Sequence, residues 1–164
     1  MDKLKKRYFS KIKIVGYKPQ YKKHFKELNY EWLKKYFKVE PVDESVLSDP
    51  NKYIIKPGGF ILFAKYNGKI AGTAAVIKHS DSVFELTKMA VTEPERGKYI
   101  GEKLAIKAIE KSRAKGAKEL ILHTATKLKP AIALYDKLGF EKIKEPDLDL
   151  PKFKRRTIVM GLKL

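Results

Sequence analysis

The stretch MAVTEPERGKYIGEKL (residues 89–104) runs from a β-rich segment into a helix-forming one through a short Arg-Gly-Lys turn. Backbone N–H groups at a helix start point outward with partial positive charge. Such a turn either just redirects the chain or holds an anion. What flanks it decides between the two.

Upstream, SVFELTKMAV (82–91) reads as a strand, and GGFILFAKYNGKIAGTAAVI (58–77) reads as a hairpin around Asn67-Gly68, the favoured pair for a type I′ turn. IKIVGYK (12–18) is a first strand. PQYKKHFKELNYEWLKKYF (19–37) carries Tyr21, Phe25, Leu28, Trp32 and Tyr36 at steps of three and four, an amphipathic helix. VEPVDESVLSDP (39–50) reads as a loop with at most a short helix. Downstream, GKYIGEKLAIKAIEKSRAKG (97–116) is a helix with Ile100, Leu104, Ala108 and Ile109 on one face and Gly116 as its stop. KELILHT (118–124) is a buried-type strand. KPAIALYDKLG (129–139) is a helix with Pro130 in its first turn, and FEKI (140–143) and RRTIVMGLKL (155–164) close the chain as strands. The order β-α-(α)-β-β-β-α-β-α-β-β predicts one α/β (α+β) domain over 1–164. Its central sheet has about seven strands, mixed and mostly antiparallel, with helices on both faces. Where parallel and antiparallel strands meet, a crevice opens at the strand ends.

Bulk properties bound the partners. The 164 residues suffice for one real core. The formal charge of +18 suits an anionic ligand. Yet the positive charge is nearly all lysine spread along the chain, with arginine only at Arg7, Arg96, Arg113, Arg155 and Arg156. Nucleic-acid sites favour arginine, so a solvated surface is the preferred reading and a phosphate-bearing ligand remains compatible. There is no cysteine, which removes disulfides and a thiol nucleophile and fits a reducing cytoplasm. The start, MDKLKKRYFSK, has no apolar core of a signal peptide, and no segment approaches a membrane span. Nothing has metal-ligand spacing.

The element order, the strand FELTKMAV, the turn ERGKYIG and the segment AIALYDKLGF together resemble the GNAT superfamily of acetyl-CoA-dependent N-acyltransferases, over about residues 12–164. The family pattern at the turn is Gln/Arg-x-x-Gly-x-Gly/Ala. Arg96 and Gly101 match it, whereas Tyr99 stands where the middle glycine is usual and Gly97 flanks it. The resemblance implies acetyl-CoA as co-substrate. Its pyrophosphate would sit on the backbone of Arg96, Gly97, Lys98, Tyr99, Ile100 and Gly101, with charge from Arg96, Lys98 and Lys103. Its pantetheine arm would pair with the strand edge at Met89, Ala90 and Val91, where the Met89 N–H would serve as oxyanion donor.

The implied reaction moves an acetyl group from a thioester to a primary amine, by direct attack in a ternary complex. The amine must lose a proton, the thioester oxygen needs a donor, and the departing thiolate needs a proton. Glu85 shares a strand face with Thr87, Met89 and Val91 and resembles the glutamate base of histone-type members, with burial raising its pKa. The competing readings are an exposed strand glutamate, or an ordered water as the base. Tyr135 sits where the family carries its general acid. A phenol near 10 roughly matches a thiol leaving group. His123 at a strand end is a second base or a structural residue. The family's usual Asn before the last helix is absent; Thr124 and Thr126 are the polar residues there.

In this fold the acceptor site is built by the first helix, the loop after it and the connection of the last two strands. Glu40, Asp43 and Glu44, with Glu145, Asp147 and Asp149, form acidic clusters there, and Trp32, Tyr36 and Phe37 offer aromatic walls. They suggest a cationic acceptor: polyamine-like, amino-acid or peptide amine. Two acidic loops balancing a basic surface are the plainer alternative. A non-catalytic acyl-CoA-binding module is a second overall reading, and a basic nucleic-acid-binding domain a third. Dimers are common in the family, and a homodimer is compatible with the sequence.

Overall fold

The Asn67-Gly68 pair closes its hairpin as the sequence requires: in the computed structural model, which describes residues 2–148, 150 and 152–164, both residues have positive φ (51° and 79°). That is the type I′ signature. The hairpin strands are β2 (Phe60–Tyr66) and β3 (Lys69–Lys78). They lie between β1 (Ile12–Gly16) and β4 (Val83–Val91); β5 (Glu119–Ala125), β7 (Thr157–Lys163) and the short β6 (Glu141–Lys142) complete the sheet. The order is β1-β2-β3-β4-β5-β7-β6, and only β4 and β5 pair in parallel. The expected mixed, mostly antiparallel seven-stranded sheet is what the chain forms.

Two cores clad its faces. On one, α4 (Ile100–Ala114) buries Ile100, Leu104, Ala105 and Ala108, and α5 (Lys129–Lys137) contributes Tyr135. Gly72 of β3 makes the close approach of α4 possible: a Cβ there would stand 3.0 Å from Ile100 and 3.1 Å from Leu104. On the other face, α2 (Lys22–Tyr36) buries Phe25, Leu28 and Leu33. Phe25 and Leu33 pack with Phe63 and Ile61 of β2 and with Leu47 of α3 (Pro41–Ser48). Burying each such large side chain contributes about 1.5–3 kcal/mol. The α2 stripe is therefore narrower than expected. Trp32 is only partly buried at the margin of this core, Tyr36 is exposed, and both line the cleft described below.

Two elements differ from expectation. Residues 39–50 hold a full two-turn helix, α3, whose Asp43 carboxylate accepts from the Glu40 N–H at 3.0 Å as part of a capping box. The charged N-terminal segment forms α1 (Lys3–Ser10), capped by Asp2 accepting from the Lys5 N–H at 2.7 Å. No α1 residue is fully buried, which is why hydrophobic periodicity does not announce it. Among the described residues no helix is long and apolar enough to cross a membrane.

Candidate active site

The site begins with a strand pair that comes apart. β4 and β5 are paired only from Val83↔Glu119 to Leu86↔Leu122, although β4 continues to Val91 alongside β3 and β5 continues to Ala125 alongside β7. Just past the split, Lys88 has φ +53° and the β3–β4 register slips, so that Lys88 and Met89 together face Ala74. This bulge turns the edge of β4 outward. Asn29, fully buried on α2, steadies it by donating to the Lys88 carbonyl at 3.2 Å. The gap is a cleft of about 510 Å³. Its walls include Thr87, Met89, Ala90 and Val91 on one side, Thr124 and Ala125 on the other, and Leu134 and Tyr135 of α5.

At one end of the cleft lies the ERGKYIG turn. Gly97 (φ +81°) and Tyr99 (φ +64°) are both left-handed, and Tyr99 is the residue before the first turn of α4. A tyrosine thus adopts the conformation a glycine would take most cheaply, at a cost of about 1–2 kcal/mol. Its ring packs 6.0 Å from Tyr8 of α1, with the Lys5 ammonium 5.9 Å from its centroid. No side chain caps the α4 start, so its first N–H groups remain free to bind an anion. Gly101 and Arg96 line the cleft beside it, and Arg96 is fixed by Nε donating to the Val91 carbonyl at 3.1 Å.

The other expected phosphate ligands are elsewhere. Lys103 points away: its Nζ donates to the carbonyls of Phe9 and Ile12, both at 2.6 Å, closing the end of α1. Lys98 is held by Glu95 at 2.5 Å and lies over the Tyr66 ring. Ile100 belongs to the core, leaving only its backbone for a ligand.

In the middle, Glu85 is 6% exposed. Its Oε1 lies 2.7 Å from His79 Nε2, its Oε2 lies 3.5 Å from His123 Nδ1, and His123 Nε2 lies 3.2 Å from Glu145. Burial pushes the Glu85 carboxyl up, but His123 and His79 outweigh it and hold it below its ordinary value. The sequence expectation of a raised glutamate is therefore reversed. The raised group is His123, lifted mainly by the neighbouring Glu85 carboxylate against the effect of burial, with Glu145 helping. Tyr135 meets the cleft from the other core. Burial pushes its phenol well above the ordinary value, so the expected match to a thiol does not hold in this state of the protein. Glu85 pairs with Ile77 and Ile121 in the sheet, and Ile77 packs on the α2 side. Glu85 and Tyr135 thus approach the split from opposite faces.

At the far end, Trp32 and Tyr36 line the cleft as expected, but Glu40 and Asp43 do not. They sit behind it and hold its cations. Asp43, fully buried, accepts from Lys88 Nζ at 2.8 Å and from both terminal nitrogens of Arg155 at 2.9 and 2.8 Å. Glu40 accepts from Arg155 at 3.0 Å. Burial raises the Asp43 carboxyl, but Arg155 and Lys88 prevail and bring it to about 2. Phe153 packs on Arg155, 4.2 Å from ring centroid to guanidinium carbon. Glu145 meets His123, Asp147 is not part of the cleft lining, and Asp149 lies outside the described residues, so among the described residues that loop brings no acidic cluster to the cleft.

His79, Lys88, Lys127, Phe153 and Arg155 are the site residues that sequence reasoning missed. A register count finds His79: Ile77 opposes Glu85 on the neighbouring strand, which puts residue 79 one step along the same face. Nothing local marks Arg155, which is 112 residues from Asp43.

The model of the acetyltransferase (GNAT) family matches residues 25–140. The chain is 36% identical over 105 residues to the uncharacterized N-acetyltransferase YjgM of Escherichia coli K12, a match covering 59% of this chain and 63% of that protein. In fold it resembles a GNAT-family acetyltransferase from Staphylococcus aureus Mu50 (TM-score 0.83, 27% identity, 93% and 98% of the two chains covered). It also resembles a GNAT-family acetyltransferase from Elizabethkingia anophelis solved with acetyl-CoA bound (TM-score 0.64, 21% identity, 94% and 99% covered). With the family model spanning most of the sequence, the chain belongs to the GNAT family of acetyltransferases.

Proposed function

We propose that the protein transfers an acetyl group from acetyl-CoA to a primary amine in a ternary complex. The observation that carries this reading is the split of β4 from β5 beside an uncapped α4 start. A bare strand edge can pair with an amide-bearing arm, and the free N–H groups with Arg96 suit a diphosphate. Acetyl-CoA, when bound, supplies an acyl group already activated as a thioester.

The protein's own residues then have distinct tasks. The β4 edge at Met89 to Val91 offers its backbone to the arm, and the Met89 N–H is the oxyanion donor. His123 takes the proton from the attacking amine: the Glu85 carboxylate beside it makes its neutral imidazole a stronger base than a free one. Glu85 stays ionised; it positions the imidazole and stabilises the imidazolium. Tyr135 keeps its proton and donates a hydrogen bond to the departing sulfur, which leaves as a thiolate as the C–S bond breaks and the C–N bond forms. Tyr99 does not disqualify the turn, since it already has the left-handed backbone the position requires.

The test is release of thiol from acetyl-CoA by the purified protein across a panel of primary amines, beside calorimetry with acetyl-CoA and with adenosine. Amine-dependent release, together with binding that needs the diphosphate, supports the reading. Tight acetyl-CoA binding without release from any amine rejects it and leaves a binding module.

A further inference from the structure

Resting on that reading, we infer that the acceptor carries a carboxylate as well as its amine, and that Lys88 and Arg155 hold this carboxylate. The charged side chains lining the cleft are Arg96, Lys88, Lys127, Arg155, His123 and Glu85. Glu85 is already engaged by two histidines. Among the described residues, an acceptor with several positive charges would meet mainly like charge here, with Glu85 the one lining carboxylate and already engaged.

The cations, by contrast, are built to receive an anion. Lys88 has a side chain 7% exposed, and its Nζ makes one hydrogen bond to a described side chain, to Asp43. Two of its three N–H donors remain. Arg155, 11% exposed, spends its terminal nitrogens on Glu40 and Asp43. Both cations are immobilised from behind by acids that stay out of the cleft. Phe153 covers both, with its ring 5.4 Å from Lys88 Nζ and 4.2 Å from the Arg155 guanidinium. Phe37 joins Arg155 to Lys127 and Trp32 around the same end. Such a partly desolvated, pre-oriented pair, with spare donors on Lys88, suits one small monoanion better than a dianion, because Asp43 and Glu40 already balance its two charges and leave the added positive charge at this end to Lys127. Lys88 lies three residues beyond Glu85 on β4, within about 10 Å. Lys88 and His123 line the same cleft, so one acceptor can present its amine to His123 and its carboxylate toward Lys88. The same positive surroundings favour the neutral form of the incoming amine, which is the nucleophile.

The direct test avoids dependence on turnover. Protein saturated with CoA is titrated calorimetrically with a panel of N-acetylated amino acids, the same compounds as carboxamides, N-acetylspermidine and N-acetylglucosamine 6-phosphate. At least one acid should bind, its carboxamide about 10- to 100-fold more weakly, as expected for losing a charge-assisted hydrogen bond. In Lys88→Met that preference should collapse while CoA affinity holds. Equal binding of acid and amide, preference for the polyamine or the phosphate, or no binding of any acid would overturn the inference. Thiol release measured on the same preparation separates the claims. Carboxylate-dependent binding without release from any amine removes the transferase reading and leaves the pocket. Release with no carboxylate preference does the reverse.

Discussion

The two ends of the cleft are built on different principles. The cofactor end is made within one stretch of chain, from Met89 to Gly101, and works through backbone: a bulge, a bare strand edge, two left-handed residues and an uncapped helix start. The acceptor end is made by side chains from α2, α3, β4 and the segment before β7, tied by Asp43 and Arg155 across 112 residues. Backbone sites tolerate side-chain change as long as the turn keeps its shape. A buried charge network does not, because removing one member strands the others. The contrast predicts that substitutions at the acceptor end cost stability, whereas those at the cofactor end cost ligand affinity.

The largest effect should come from Asp43→Asn. It leaves Lys88 buried without its anion and Arg155 with Glu40 alone, and should destabilise the fold by about 3–5 kcal/mol in chemical denaturation at pH 7. The effect should depend on pH with a fixed sign. The Asp43 carboxyl falls from 3.8 unfolded to about 2 folded, so its ionisation stabilises the protein above pH 4 by about 2 kcal/mol, and that part is lost as pH falls from 4 to 2. The gap between wild type and variant should narrow over that window. An unchanged gap would mean that Asp43 acts by shape rather than charge.

Tyr135→Phe should lower kcat about 100-fold or more, the scale of a positioned acid, and leave acetyl-CoA affinity nearly intact. A variant with wild-type turnover would remove Tyr135 from the chemistry and leave it as a core residue of α5.

At the cofactor end, Arg96 and Lys103 form a matched pair. Arg96→Ala should weaken acetyl-CoA about tenfold in calorimetry, within the range of a hydrogen bond to a charged group. Lys103→Met should leave acetyl-CoA affinity unchanged and instead loosen the α1–β1 junction, where Lys103 satisfies the Phe9 and Ile12 carbonyls. Reversed outcomes would mean that the turn binds through the other lysine face.

How far the sequence carried is divided the same way. The hairpin at Asn67-Gly68, the α4 face and the turn that opens α4 are legible because each is a short-range pattern with a local physical cause. Lys103 is misplaced because it sits only two residues on from Gly101, and spacing alone does not reveal which way a long side chain turns. Glu40 and Asp43 were taken as bait for a cationic amine because an acidic cluster in a basic protein looks unpaired in one dimension. Their partners, Lys88 and Arg155, become visible only when the chain is folded. The raised value is expected at Glu85 rather than at His123 for the same reason: burial alone would raise the carboxyl, and His79 and His123 decide otherwise.

The smallest effect is also the most specific for the middle of the cleft, where the two ends meet. If His123 is the base, kcat/KM should rise with pH through the imidazole's value, which Glu85 holds above the ordinary 6.5. Glu85→Gln removes that anion while keeping the shape of the hydrogen-bonding group. The acid limb should then move to lower pH, since an imidazole without its carboxylate partner gives up its proton sooner. The plateau rate should fall only modestly, because glutamine still orients the ring. A direct base role for Glu85 predicts the opposite pattern: loss of the plateau with no movement of the limb. A purely structural role predicts a stability change with the pH profile in place. One profile of each protein therefore separates three roles for a residue that the sequence could present only as one carboxylate on a strand.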